Sequence, residues 1–308
     1  MFNKFGKLAK KPLVAVAAAA MLAMSVGASA APMRLDLTIF GGNALDATIP
    51  FVRTSDADTV TGTFTEFGFS QILATSVYNF VDGSVLGSFY DTNIASELAF
   101  ANVPASGTAV DGVTTVNLVA PNCAGGQCDI DALSPLVPPL GSDNEGFLTT
   151  WDLQVAYHFD GILGAGGPTY TGGTFDVFFR NLSTNTQTLA ISGNLTGSTI
   201  QAANLDLYFD ITYAADGFLN IGNGSSFVDA AASIAGGGVP RLVLDTNVNP
   251  PIPTPNQLLL VIDDNQNPNL IRQTTLDGSI TGTIPEPSSI ALLGLALLGL
   301  GVASRKKA

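Results

Sequence analysis

The sequence predicts an all-β protein, an antiparallel β-sandwich or jelly-roll-like body, and three observations lead there. Apolar and polar residues alternate in several segments. Trp151, Leu153, Val155, Tyr157 and Phe159 oppose Asp152, Gln154, His158 and Asp160; Leu205, Leu207, Phe209, Ile211 and Tyr213 oppose Asp206, Asp210 and Thr212. A period of two sends alternate side chains to opposite faces of a strand, one toward a core and one toward water. Asp-Gly recurs at Asp82, Asp111, Asp160, Asp216 and Asp277, a dipeptide suited to the positive φ of tight turns. Between the two ends, the chain favours Gly, Thr, Ser, Asn, Asp, Val and Phe over strong helix formers. Many short strands with frequent turn signals describe a sandwich-type body.

From the N-terminus, Lys4, Lys7, Lys10 and Lys11 precede an apolar run from Leu13 to Val26, and Ala28-Ser29-Ala30 follows. A basic region, an apolar core and an A-x-A site make a secretory signal peptide over residues 1–30. Its implied partners are the Sec translocon and a signal peptidase that cuts after Ala30. The exported body, residues 31–282, opens with Leu35, Leu37 and Ile39 alternating against Arg34, Asp36 and Thr38. Weaker strands are expected at 59–69, 113–119, 174–180, 187–195, 241–245, 258–262 and 276–282, and a helix at 225–234. Residues 121–144, with four prolines, read as an irregular loop or subdomain boundary, and the Pro-rich stretch 249–255 as an extended linker. Cys123 and Cys128, five positions apart around Gly125-Gly126, are expected to form a local disulfide once exported.

The C-terminal stretch has three parts: Pro285-Glu286-Pro287, an apolar run from Ile290 to Ala303, and Arg305-Lys306-Lys307 near the end. Two prolines around a carboxylate stay extended and accessible. The run, taken as a membrane helix over 288–304, is short for a full span, and the basic cluster acts as its stop. This tail resembles the PEP-CTERM sorting signal of Gram-negative bacterial surface proteins. The resemblance covers residues 283–308. It implies recognition by an exosortase at Pro285, Glu286 and Pro287 and transient insertion in the inner membrane. Delivery to the cell surface or extracellular matrix follows, with a role tied to exopolysaccharide, biofilm and floc formation.

Charge narrows the function. Residues 31–287 hold five arginines, no lysine and all 25 acidic residues, a net of −20 against −13 for the whole chain. Such a field repels nucleic acid, and the absence of lysine removes Schiff-base chemistry. No H-E-x-x-H, P-loop, dinucleotide fingerprint or G-x-S-x-G elbow occurs. The single histidine, His158, falls on the polar face of its strand and reads as a solvated sheet residue. Glu66, Glu97 and Glu145 are the body's glutamates, without flanking motifs, so a two-carboxylate glycosidase has no sequence signature here. No metal site is expected. Calcium is the one cofactor left open, through the oxygen-rich Asp56-Ala-Asp58, Asp129-Ile-Asp131 and Asp263-to-Asn267 stretches; the last has Pro268 where an EF-hand needs glycine. The expectation is a non-enzymatic surface or matrix protein, with a carbohydrate-binding or glycoside hydrolase-like protein as the alternative.

Overall fold

The computed structural model describes residues 30–42, 59–80, 82–101, 109–110, 113–114, 116–117, 145–147, 150–248, 250–263, 265 and 267–284. The chain divides into two compact units, residues 1–30 and 31–308, and the fold below is that of the second. Its strands are β1 (Met33–Leu35), β2 (Glu66–Asn79), β3 (Gly87–Thr92), β4 (Ala109–Val110), β5 (Val113–Thr114), β6 (Val116–Asn117), β7 (Trp151–Gly164), β8 (Gly167–Asn181), β9 (Thr186–Gln201), β10 (Asn204–Ala214), β11 (Leu219–Gly222), β12 (Phe227–Asp229), β13 (Arg241–Asn247), β14 (Leu259–Ile262) and β15 (Pro268–Thr283). Among the described residues two short α-helices, α1 (Ala95–Leu98) and α2 (Ala230–Ala235), interrupt them.

The all-β antiparallel body expected from the sequence is present, as one ten-stranded sheet curled until its halves face each other. Each neighbour along β13-β10-β9-β8-β7-β3-β2-β15 is hydrogen-bonded and antiparallel. The far half of β15 also pairs with β13, from Arg241↔Thr283 to Thr246↔Gly278, so the ring closes into a barrel. Curling needs local bends, and register shifts supply them at Asp160/Gly161, Val177/Phe178, Tyr208/Phe209, Ile211/Tyr213 and Thr274/Leu276. The inward faces are those the alternation marks: Leu153, Tyr157 and Phe159 of β7, and Leu205, Leu207, Phe209 and Ile211 of β10, are buried together.

A three-stranded sheet, β1-β11-β12, packs with α2 at the end of the barrel where β2 begins and β15 finishes. Ala31 bridges Gly282 and Met33 bridges Phe64, tying this sheet to both barrel strands. Met33, Leu35, Leu37, Phe64, Phe218 and Ile221 are completely buried there, each worth about 1.5–3 kcal/mol of transfer free energy. Aromatic rings continue the seal: Phe40 stacks on Phe179 at 4.3 Å, Phe179 on Trp151 at 5.4 Å, and Trp151 meets Phe147 at 4.8 Å. The indole N–H of Trp151 donates to the Glu145 carbonyl at 2.8 Å.

Several local expectations are corrected. Tyr213 is 45% exposed because the shift after Ile211 rotates it off the inner face. Ile39 is exposed because Thr38–Phe40 turn into a 3₁₀ helix. The helix placed at 225–234 begins only at Ala230: β12 occupies Phe227–Asp229, and the Asp229 carboxylate caps the N–H groups of Ala231 and Ala232. Asp160-Gly161 and Asp277-Gly278 lie within β7 and β15, since ladder partners on both sides hold them extended. The linker is not extended throughout, because Pro255–Gln257 close a 3₁₀ turn with a Thr254–Gln257 capping box.

Gly173, paired with Phe159 just before the β7–β8 shift, is required by its backbone conformation and the close approach of β7. Its φ is +138°, and a Cβ there would sit 2.2 Å from the His158 carbonyl oxygen, whereas a Cβ on Gly172 would meet nothing within 4 Å. Gly173→Ala is therefore expected to destabilise the barrel by about 2–5 kcal/mol, combining backbone strain and overpacking, and Gly172→Ala by less than about 1 kcal/mol. Urea unfolding midpoints of the two variants check this contrast.

Candidate functional site

The curled sheet encloses a cavity of about 370 Å³. Its width follows from the residues on each wall. β2, β3, β7, β8 and β10 point rings inward, and Tyr78, Phe89, Tyr170, Phe159, Phe209 and Phe175 form a chain of ring contacts with centroids 5.1–6.4 Å apart. Along β2, β15 and β13 small lining residues, Ala74, Ser76, Thr274 and Thr246, alternate with larger ones such as Arg272, Ile280, Leu242 and Leu244. The small positions leave part of the space between the strands unfilled. The rim, away from the β1-β11-β12 end, includes Pro168, Asn247, Val248 and Pro251.

One polar cluster interrupts this apolar lining. The Tyr170 hydroxyl donates to Oδ2 of Asp91, and Ser76 hydrogen-bonds the same carboxylate. Oδ1 of Asp91 is shut off from solvent and has no hydrogen-bond partner among the described residues. Arg272, 4% exposed, supplies the countercharge and donates from Nη1 to the Pro250 carbonyl at 3.0 Å, so it joins the interior to the segment at the rim. Burial pushes the Asp91 carboxyl up to about 6, against the opposing pull of Ser76, Tyr170 and Arg272. Burial beside Asp91 also raises the Tyr170 phenol far above its usual value, so it stays a donor.

Outside the barrel the structure assembles a second group that the sequence does not announce. His158 Nδ1 lies 2.7 Å from Glu97 Oε2, and Nε2 lies 3.3 Å from Asp160 Oδ1, while the ring stacks on Tyr90 at 5.1 Å. Burial alone lowers the imidazole's proton affinity. The hydrogen bonds and charges of Glu97, then Asp160, outweigh burial and raise it. The expected solvated histidine is thus a clamped one, because α1 brings Glu97 over the β3–β7 pair. Asp152 and Gln154, expected on the watery face, are 5% and 1% exposed: Asp152 forms a salt bridge to Arg180, and Gln154 accepts from Gln187 across the ladder.

Of the calcium candidates, only Asp263 is described. Its Oδ1 accepts from the backbone N–H groups of Asn265 and Asn267, and Oδ2 from the Asn267 and Asn269 side chains, so internal donors occupy the carboxylate. Among the described residues no group of three His, Cys, Asp or Glu is placed to hold a metal ion. Asp56, Asp58, Asp129, Asp131, Cys123, Cys128, Ala28, the apolar run of the expected signal peptide, the Pro285-Glu286-Pro287 motif, the membrane helix expected over 288–304 and Arg305-Lys306-Lys307 lie outside the described residues, whereas Ala30 is described. No described helix is long and apolar enough to cross a membrane. The Asp91 cluster escaped sequence reasoning because Ser76, Asp91, Tyr170 and Arg272 are spread over nearly two hundred residues. The one available signal was a charged residue on the inward phase of a strand, Asp91 in step with Phe89.

The folded state holds the Asp91 proton more tightly than the unfolded chain does. The contribution of this group is therefore fully present below the usual 3.8 and lost as pH rises through about 6. Relative to Asp91→Asn, the native protein should lose about 2–3 kcal/mol of unfolding free energy between about pH 4 and pH 7. His158 acts at higher pH: its contribution is complete below the usual 6.5 and is lost as pH rises through its raised value. His158→Gln should remove that second decline, as read by urea titrations at successive pH values.

No curated protein and no solved structure matches the chain. The family model for the PEP-CTERM protein-sorting motif matches residues 283–307, and so begins on the last residue of β15. This chain accordingly carries, behind its closing strand, the sorting signal of an exosortase-sorted exported protein.

Proposed function

We propose that this protein works at the cell surface or in the extracellular matrix, without catalysis, by binding exopolysaccharide and supporting biofilm or floc formation. The observation that carries the reading is the position of the sorting motif directly behind β15. Processing within the motif leaves the ring of strands whole, so the delivered product is the barrel itself.

The outer face supports a sugar-binding role. On β9 and β10, Thr199 Oγ1 lies 3.0 Å from the Tyr208 hydroxyl and 3.3 Å from Asp206, beside Asn204, while Arg241 pairs with Asp210 at 3.0 Å farther along. Hydroxyls, a carboxylate, an amide and a phenol on one exposed sheet face match the hydrogen-bonding pattern of a polysaccharide. A second reading, a carbohydrate-active enzyme, is favoured by one feature. Glu97 and Asp160 flank the same histidine, and paired carboxylates are what glycoside hydrolysis requires.

The two readings part on the producing organism's own polysaccharide. The exported protein is expected to co-sediment with it and release no reducing ends. Tyr208→Ala should weaken co-sedimentation at least about fivefold, on the order of 1 kcal/mol. Reducing ends that appear with the native protein and vanish with Glu97→Gln would establish the hydrolase instead.

A further inference from the structure

We infer that the barrel interior is a binding site for a neutral, mostly apolar small molecule carrying one hydrogen-bond donor, a hydroxyl or N–H, that docks on the Asp91 carboxylate. Four observations carry this. The cavity, about 370 Å³, lies within the size range of small-molecule sites, and its lining is mainly aromatic and aliphatic with a few convergent polar groups. An eight-stranded ring is the width at which an antiparallel barrel either fills with its own side chains or holds one ligand. Here the small side chains of Ala74, Ser76, Thr246 and Thr274 leave part of the interior open. Oδ1 of Asp91 is a buried acceptor without a hydrogen-bond partner among the described residues, and such an atom is costly unless a donor reaches it. Finally, Arg272 already balances the Asp91 charge, so a cationic ligand would add an uncompensated charge inside the barrel, whereas a neutral donor would not.

The donor geometry sharpens the chemical class. Tyr170 and Ser76 hold the carboxylate through Oδ2, which leaves Oδ1 as the one oxygen without a partner for a docking donor. The rings from Tyr78 to Phe175 then surround the apolar remainder of the guest.

A suitable probe is N-phenyl-1-naphthylamine, which is neutral and aromatic, has a single N–H and fluoresces more strongly in apolar surroundings. Titrated into the full chain, it should bind saturably at one site that is lost in Ala74→Leu, a variant that fills one of the small lining positions. Asp91→Ala should weaken the site about tenfold or more, the loss of one hydrogen bond to a charged group. The N-methylated probe, which lacks the donor, should bind the native protein about tenfold more weakly than the parent. Circular dichroism and urea midpoints identify any variant that fails to fold, and the methylated probe tests the donor without changing the protein. Absence of saturable binding would mean that water alone fills the cavity. Binding unchanged by Ala74→Leu would place the probe elsewhere on the chain, and equal affinity of the two probes would remove the Asp91 dock. Each of these results overturns the assignment.

Discussion

The pairing of β15 with two partners at once is the constraint on which the structure depends. Its first half pairs with β2 and β14, and its second half with β2 and β13. This strand turns a long meander into a ring, and without it the sheet would end in two open edges of unpaired N–H and C=O groups. Closure also gives the sheet an inside. The same alternation that would half-bury each strand of an open sheet then gathers Leu153, Phe159, Leu205, Phe209, Leu242 and Leu244 around one axis.

An inside created in this way is stringent for charge. Asp91 and Arg272 face each other in a low-dielectric interior, where a lone ion would be prohibitive and even a pair needs every lone pair met. Tyr170 and Ser76 donate to the carboxylate and the Pro250 carbonyl accepts from Arg272, whereas Oδ1 has no hydrogen-bond partner among the described residues. The outer surface follows a different rule. Carboxylates outnumber arginines there, and those described in local clusters, Asp36 and Asp263, are satisfied by neighbouring hydroxyl and amide donors. The barrel thus has an acidic exterior and a mostly apolar, charge-balanced lining.

Fold class was legible because alternation is a local property, and β7 and β10 announce it in their own residues. The length of β2 was not: Ser70, Gln71, Ala74, Thr75 and Ser76 break the pattern, and their pairing with β15 draws its stability from a strand about two hundred residues away. Thr75 and Gln273, hydrogen-bonded at 3.1 Å, are 198 positions apart. Ring closure is likewise a relation between distant strands and leaves no local mark. The sorting signal was readable because its chemistry is contiguous, and the PEP-CTERM match covers residues 283–307. The interior cluster belongs with β2: each residue in it is ordinary alone and acquires meaning only when four strands converge.

That the closing strand runs without a spacer into the sorting signal bears on when the body can mature. β2 is made long before β15, so in a growing chain it must wait with one edge unsatisfied until the last strand arrives. The last stitch becomes available only when the chain is present up to the edge of the sorting signal, so the seam is the part of the ring that must form last.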